Sequence, residues 1–312
     1  MPTYSLKRSR EIFEAVEKHG DLEASKLLGI NLESISRAIR AYKFRIKNKG
    51  APKILIADIE TLPAWCRVWG LYKQRIPIDN LLKDWIICSW SAKWLNAPTV
   101  ISDRITPEEA KHRFNSRNIE DNTDKRICKS IYSLIDEADI IVGHNLNKFD
   151  MRKLRSRFII NEMNPFSPVQ QVDTLTQSQK QFAHTSHKLD WLGQLKRRKG
   201  KLATDYSLWK RCELGEPEAL RYMNEYCNED VFLEEEIYLW ILPWMSSHPN
   251  IGLYQDSENK MCKYCGSDVK FVDKYQYTLV NRYDSFKCTR CGSYSRGRRT
   301  DITPSERSTI LA

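Results

Sequence analysis

Ile54-Leu55-Ile56-Ala57-Asp58-Ile59-Glu60 is a short apolar run that ends in two carboxylates one residue apart. Read as a strand, its successive side chains face opposite sides, so Asp58 and Glu60 project together while Ile59 turns into the core. Side by side, two carboxylates repel, and a divalent cation is the usual remedy. An Asp-x-Glu after an apolar strand is weak evidence alone, because strand ends are commonly polar for solubility.

Downstream of this run, further strands are expected around Arg67 to Tyr72, Trp85 to Trp94 and Thr99 to Ile105. A helix from Pro107 through Asp136 leads into a strand at Ile140 to Val142, and helices follow at Asp150 to Ile160, Lys188 to Leu195 and Pro217 to Trp240. Strands first, then alternation with helices, predict an α/β domain over residues 53–245. No internal repeat or low-complexity tract is visible.

Two more segments of this domain carry acids in suggestive settings. In Ile140-Ile141-Val142-Gly143-His144-Asn145-Leu146-Asn147-Lys148-Phe149-Asp150 an apolar strand enters a glycine turn, and Asp150 opens the next helix. That aspartate suits a helix start for its own sake. In Tyr226-Cys227-Asn228-Glu229-Asp230 the helical spacing stacks Tyr226 and Asp230 on one face, and a core-facing role suits Tyr226 taken singly.

Together the three motifs resemble the ordered signature of the DnaQ-like 3′–5′ exonucleases: Asp-x-Glu, then Asn and Phe-Asp, then Tyr-x(3)-Asp. Position 225 is a glutamate where the histidine-type branch would need His, so the resemblance is to the tyrosine-type branch. Ser186-His187-Lys188-Leu189-Asp190-Trp191-Leu192 through Gly200-Lys201 is similar to the connecting region in family B DNA polymerase proofreading domains and their stand-alone relatives. The resemblance implies an RNase H-like mixed sheet flanked by helices and a two-metal-ion hydrolysis. Asp58, Glu60 and Asp230 would hold one Mg²⁺ or Mn²⁺, Asp58 would bridge to a second, and Asp150 would support that second ion. A tyrosine with the ordinary pKa of about 10 is a poor base at neutral pH, so Tyr226 would orient the attacking water with Glu60. Nucleoside 5′-monophosphates released from a DNA 3′ end are the implied product. Asn145 would border the nucleotide pocket, and His144 would make a structural hydrogen bond. His184 and His187 are expected at the surface.

The flanks differ from this body. Residues 1–50 hold 11 Lys/Arg against 6 Asp/Glu, residues 255–312 hold 11 against 7, and 51–254 hold 28 against 27, so the ends carry nearly all of the net +10. Basic ends favour a polyanionic partner, and lysines that merely solubilise a surface are the bland rival. Residues 1–48 read as three helices, Ser5–Lys18, Asp21–Leu28 and one from Asn31 or Ser34 to Phe44, with glycines between them and Asp21 and Asn31 or Ser34 as caps. This looks like a helix-turn-helix whose last helix offers Arg37, Arg40 and Lys43 to a DNA groove. A plain three-helix packing module fits equally.

Residues 257–312 contain Cys262-Lys263-Tyr264-Cys265-Gly266 and, 22 residues on, Cys288-Thr289-Arg290-Cys291-Gly292. Each can fold as a knuckle whose backbone N–H groups point at thiolates, and four thiolates at this spacing look like a zinc ribbon holding one structural Zn²⁺. Alternation in Lys270 to Val280 supplies the hairpin between them. The other five cysteines, Cys66, Cys88, Cys128, Cys212 and Cys227, read as ordinary buried or partly buried thiols. Tyrosines interleaved with Arg296, Arg298 and Arg299 suit unpaired bases, and half of these rings suit packing inside a small ribbon. Lys196, Arg197 and Arg198 form a basic run before the last carboxylate helix, placed to meet phosphate or simply solvated.

The expected whole is a stand-alone enzyme acting on nucleic acid, DNA in preference to RNA, with a separate polymerase or replication protein as a partner. No apolar run reaches the roughly 18 residues that a membrane span needs, so no membrane partner is expected. Nine cysteines with two close pairs and no leader suggest the cytoplasm, with a nucleoid or a phage-infected cell as the setting. An exoribonuclease using the same carboxylates is one rival, because the motifs do not report on the 2′-hydroxyl. A DNA-binding regulator with a nuclease-fold scaffold is another, and a scaffold has no need of converging acids.

Overall fold

In the computed structural model the described residues are 6–47, 51–116, 123–196, 204–255 and 259–311. Three helices open the chain, α1 (Leu6–His19), α2 (Asp21–Leu28) and α3 (Leu32–Lys47), and close around Ile12, Ala24, Ile35 and Ala38. Gly29 ends α2 in the left-handed region at φ 63°, and Ser25 Oγ donates to the Ile30 carbonyl at 2.6 Å, which sets the turn. Asn31 caps α3, accepting from Ser34 N–H at 2.8 Å. Asp21 lies inside α2, and Gly20 takes the cap position expected for it. The side chains of Arg37, Arg40 and Lys43 lie outside the described residues.

The body is a five-stranded mixed sheet flanked by helices, in the order β5-β4-β1-β6-β7. Its strands are β1 (Ile54–Leu62), β4 (Ile86–Trp94), β5 (Ile101–Arg104), β6 (Ile140–Gly143) and β7 (Gln170–Asp173), with a two-stranded β2 (Trp65–Cys66) and β3 (Leu81–Lys83) between β1 and β4. β4 runs antiparallel to β1, placing Asp58 opposite Ser91 and Glu60 opposite Ser89, whereas β6 runs parallel to it. The alternation of β1 divides the core. Leu55, Ala57 and Ile59 join one apolar cluster, and Ile54 and Ile56 join another with Val231, Tyr238 and Ile241. Asp58 and Glu60 share the second face, so the long helix carrying those three residues covers both acids.

The helices of the body are α4 (Pro107–Asn115), α5 (Lys125–Glu137), α6 (Asp150–Ile160), α7 (Thr174–Gln181), α8 (Leu189–Leu195), α9 (Tyr206–Glu213) and α10 (Pro217–Ile241). The single helix expected from Pro107 to Asp136 is instead two, the first closed by Ser116 in extended conformation. Asp124, at the start of α5, is buried and takes Arg157 Nε and Nη2 at 2.7 Å each, Asn161 Nδ2 at 3.0 Å and Ile87 N–H at 3.0 Å. That network ties α5, α6 and β4 together. The strand expected over Arg67 to Tyr72 does not form. Its side chains are exposed, and only Trp65 and Cys66 just before it pair, because the stretch puts a ring on each alternating set, Trp69 and Tyr72, and no neighbouring strand meets it.

The cysteine-rich end contributes β8 (Val269–Tyr277), β9 (Arg282–Cys288), β10 (Tyr294–Arg296) and α11 (Pro304–Ser308). The hairpin is β8 with β9, and its turn falls at 278–281. Cys262, Tyr264 and Cys288 lie in the same apolar cluster as Ile54, Ile140 and Tyr238, and Tyr264 Oη donates to the Met245 carbonyl at 2.6 Å. The knuckles therefore share a core with the sheet.

Candidate metal centres

Asp58 and Glu60 on β1 and Asp230 on α10 bring one carboxylate oxygen each to within 4.8 Å of one another. The second half of β1 supplies the first two, and the helix crossing that face supplies the third from a buried position. Three hard oxygen donors at this separation suit Mg²⁺ or Mn²⁺, because without a cation they would only repel. Tyr226, one helical turn before Asp230, is buried on the same helix.

Asp150 is not a member of that trio but adjoins it. Its Oδ1 accepts from Ile59 N–H at 3.2 Å, at the residue between the two β1 acids. Burial, and then the charge of Asp58, push its carboxyl well up from the ordinary carboxylate value. Close approach of β6 to β1 makes this arrangement possible. A Cβ on Gly143 would sit 2.9 Å from the Ala57 carbonyl, so only glycine lets the strand end pass beside the first acid.

Several residues around the trio carry no signal that the motifs capture. Glu234, a further turn along α10, is buried and accepts from Thr174 Oγ1 at 2.7 Å. Burial raises its pKa, against the pull of Thr174, and Asp58, Asp173 and Asp230 add to the rise. Its spacing of four from Asp230 was the readable clue. Asp173 ends β7, caps α7 at Thr176 N–H (3.1 Å) and accepts the N–H groups of Asn145 and Asn147 at 3.2 and 3.0 Å. Asn145 itself stands in the left-handed region at φ 65°, held in that turn. Cys227 lies against Asp58, its Sγ 3.4 Å from Oδ2.

His144 bonds Thr174 Oγ1 at 2.9 Å through Nδ1 and the His187 carbonyl at 2.9 Å through Nε2, a structural pairing. His184 and His187, expected at the surface, are half-buried instead. His184 stacks on Phe182 with centroids 5.0 Å apart, and His187 Nδ1 pairs with Ser178 Oγ at 2.8 Å. Lys196 turns back to α10, donating to the Glu236 carbonyl at 3.2 Å, so it is engaged within the body. Arg197 and Arg198 lie outside the described residues.

The second centre is the cysteine quartet. Cys262, Cys265, Cys288 and Cys291 place their sulfurs within 4.8 Å of one another, with Cys262–Cys291 at 3.7 Å and Cys265–Cys288 at 3.5 Å. Metal–sulfur bonds of about 2.3 Å in a tetrahedron give edges of about 3.8 Å, so a Zn²⁺ fits the quartet. Gly266 and Gly292 take φ 69° and 76°, the left-handed turn that brings Tyr264, Arg290 and Cys291 N–H groups to 3.4 Å from the thiols. Burial works against ionisation of Cys288, yet the N–H groups of Cys291 and Arg290 and the neighbouring thiols bring it down to about 7. Of the nearby rings, Tyr264 and Phe286 are buried as packing, whereas Tyr277 and Tyr294 are exposed. Arg296, Arg298 and Arg299 are exposed, and Arg296 lies over Tyr283 at 4.5 Å.

No helix among the described residues is long and apolar enough to cross a membrane. No protein-family model and no curated protein matches the chain. Among solved structures it is similar to the family B DNA polymerase from the hyperthermophilic archaeon Pyrobaculum calidifontis, at a TM-score of 0.41 and 14% identity. That match covers 62% of this chain and 25% of the polymerase chain, so it spans about a quarter of the polymerase's length.

Proposed function

We propose that this chain is a metal-dependent 3′–5′ exonuclease that removes nucleoside 5′-monophosphates from DNA. The observation that carries the reading is the meeting of Asp58, Glu60 and Asp230 within 4.8 Å where β1 passes under α10. These three would hold Mg²⁺ or Mn²⁺, with Asp58 shared between two ions and Asp150 beside it. When bound, such ions polarise a phosphodiester, lower the pKa of an attacking water and neutralise the leaving oxygen.

The remaining residues shape the site. Ile59 N–H fixes Asp150 against the strand, and Glu234, bonded to Thr174, closes the inner side of the acidic face. Tyr226 offers a hydroxyl from the same helix as Asp230, suited to orienting a water by hydrogen bonding. Asp230 and Asp150 are buried, which strengthens the field that they exert. The Cys₄ module would hold a structural Zn²⁺, since four thiolates leave no open coordination position. With its basic exposed arginines and the three-helix module at the other end, it would add affinity for the nucleic-acid backbone.

The test is incubation of purified protein with DNA and RNA strands labelled at either end, in Mg²⁺, Mn²⁺ or EDTA. Shortening of DNA from the 3′ end that EDTA stops is the expected result. Preference for RNA would replace the substrate, and no hydrolysis of either would overturn the reading.

A further inference from the structure

The exposed span between β2 and β3 puts large rings into water on a fixed support. Trp69 is 99% exposed, Leu71 87% and Tyr72 85%. Its stem is anchored from below: Trp65 Nε1 donates to Glu213 at 2.6 Å, and Arg113 Nη2 donates to the carbonyls of Pro63 and Asp84 at 3.0 and 2.8 Å. Arg67 N–H donates to the Asn80 carbonyl at 2.9 Å, and Asn80 Nδ2 returns to the Arg67 carbonyl at 3.1 Å, closing the neck. At the tip Lys73 takes φ 51°, and Gln74 Nε2 donates to the Tyr72 carbonyl at 3.0 Å.

Charge decides what such a loop would hold. Between the neck residues Arg67 and Asn80 the chain has three cations, Arg67, Lys73 and Arg75, against one acid, Asp79. Flat rings interleaved with cations match unstacked bases joined by phosphates, whereas an apolar protein groove would not call for a loop of net positive charge. Trp65 follows Glu60 by five residues, so the stem begins within about 18 Å of the acidic site. We infer that the 67–78 loop is a stacking platform for single-stranded nucleic acid. Its role in feeding a 3′ end to the carboxylates rests on the proposed exonuclease function; its binding of a strand does not.

The experiment is fluorescence anisotropy with a labelled 12-nucleotide single-stranded DNA in EDTA, using the full chain. Replacing a stacking ring by alanine costs roughly fivefold or more in affinity, so Trp69→Ala/Tyr72→Ala should weaken binding at least that much. Trp69→Phe, which keeps a ring, should retain most of it. Lys73→Gln/Arg75→Gln should lower the slope of log affinity against log salt by about 1.4. Thermal melting by circular dichroism checks that each variant folds, and these exposed positions should leave the midpoint in place. Wild-type affinity in the folded double-ring variant, or Trp69→Phe binding as weakly as the double-ring variant, would overturn the inference and leave the loop to a protein partner. Because EDTA removes hydrolysis from the measurement, the two readings fail separately. Exonuclease activity with unchanged binding sinks only the platform, and ring-dependent binding without any hydrolysis in Mn²⁺ sinks only the exonuclease.

Discussion

Replacing Asp230 by asparagine should stabilise the cation-free protein while destroying its response to divalent ions. The three oxygens of Asp58, Glu60 and Asp230 lie within 4.8 Å. At an effective dielectric of about 20, two unit charges at that distance repel by about 3.5 kcal/mol, and Asp230→Asn removes two of the three pairings. Asp58 and Glu60 are only half-buried, so solvent screens much of this. A net gain of about 1–3 kcal/mol remains, a rise in Tm of about 2–4 °C for each kcal/mol. Differential scanning fluorimetry in EDTA and in millimolar Mn²⁺ measures both effects. In Mn²⁺ the wild type should gain stability by mass action and Asp230→Asn should gain little. A variant less stable than wild type in EDTA, with a wild-type Tm that Mn²⁺ does not move, would refute the argument that these acids form a cation site.

Two buried acids beside the trio set a pH dependence. Asp150 and Glu234 have raised pKa values, so the folded chain holds protons that the unfolded chain has lost; stability in EDTA should fall as pH rises above about 4, read as Tm from pH 4 to 8. Tyr226→Phe should slow hydrolysis by roughly 10- to 100-fold in kcat, less than loss of a metal ligand, since it removes one hydrogen bond and no donor to the ion. Cys288→Ser should lower copurified zinc from one per chain, by elemental analysis, and cost stability in the body as well, because Cys288 packs in the cluster that contains Ile54 and Tyr238. Asp124→Ala leaves Arg157 buried without its carboxylate and should cost about 3–5 kcal/mol in urea unfolding.

What was legible in the sequence follows the range of each interaction. The alternation of Ile54 to Glu60 and the spacing of Tyr226 and Asp230 are local, and each fixes which face a side chain takes. Helices Asp150–Ile160 and Pro217–Ile241 announce themselves by an acid or proline at the start and a long apolar stripe. Strand β7 and helices α7 and α9 were missed, being short and mixed in composition; they are held by distant partners such as Asp173 with Asn145. The stretch around Trp69 reads as a strand because β-formers are frequent in it, and only the lack of a neighbouring strand distinguishes a loop of rings from an edge. Glu234 lies beyond the reach of the motif, which ends at Asp230, although the helical period continues. The union of the cysteine module with the sheet was invisible as well, since Tyr264 reads like any exposed ribbon tyrosine until its hydroxyl is found on the Met245 carbonyl.

That Asp58, Glu60 and Asp230 act on a 3′ phosphodiester is the proposal on which the other roles depend. Its most direct test is chromatographic quantification of nucleoside 5′-monophosphates released from a 5′-labelled single-stranded DNA in Mn²⁺, wild type beside Asp58→Asn. Release of 5′-monophosphates in step with shortening from the 3′ end, at least a thousandfold slower in the variant by the order expected for a lost catalytic ion, is the predicted result. Equal release by the two proteins, or products bearing a 3′-phosphate, would contradict it.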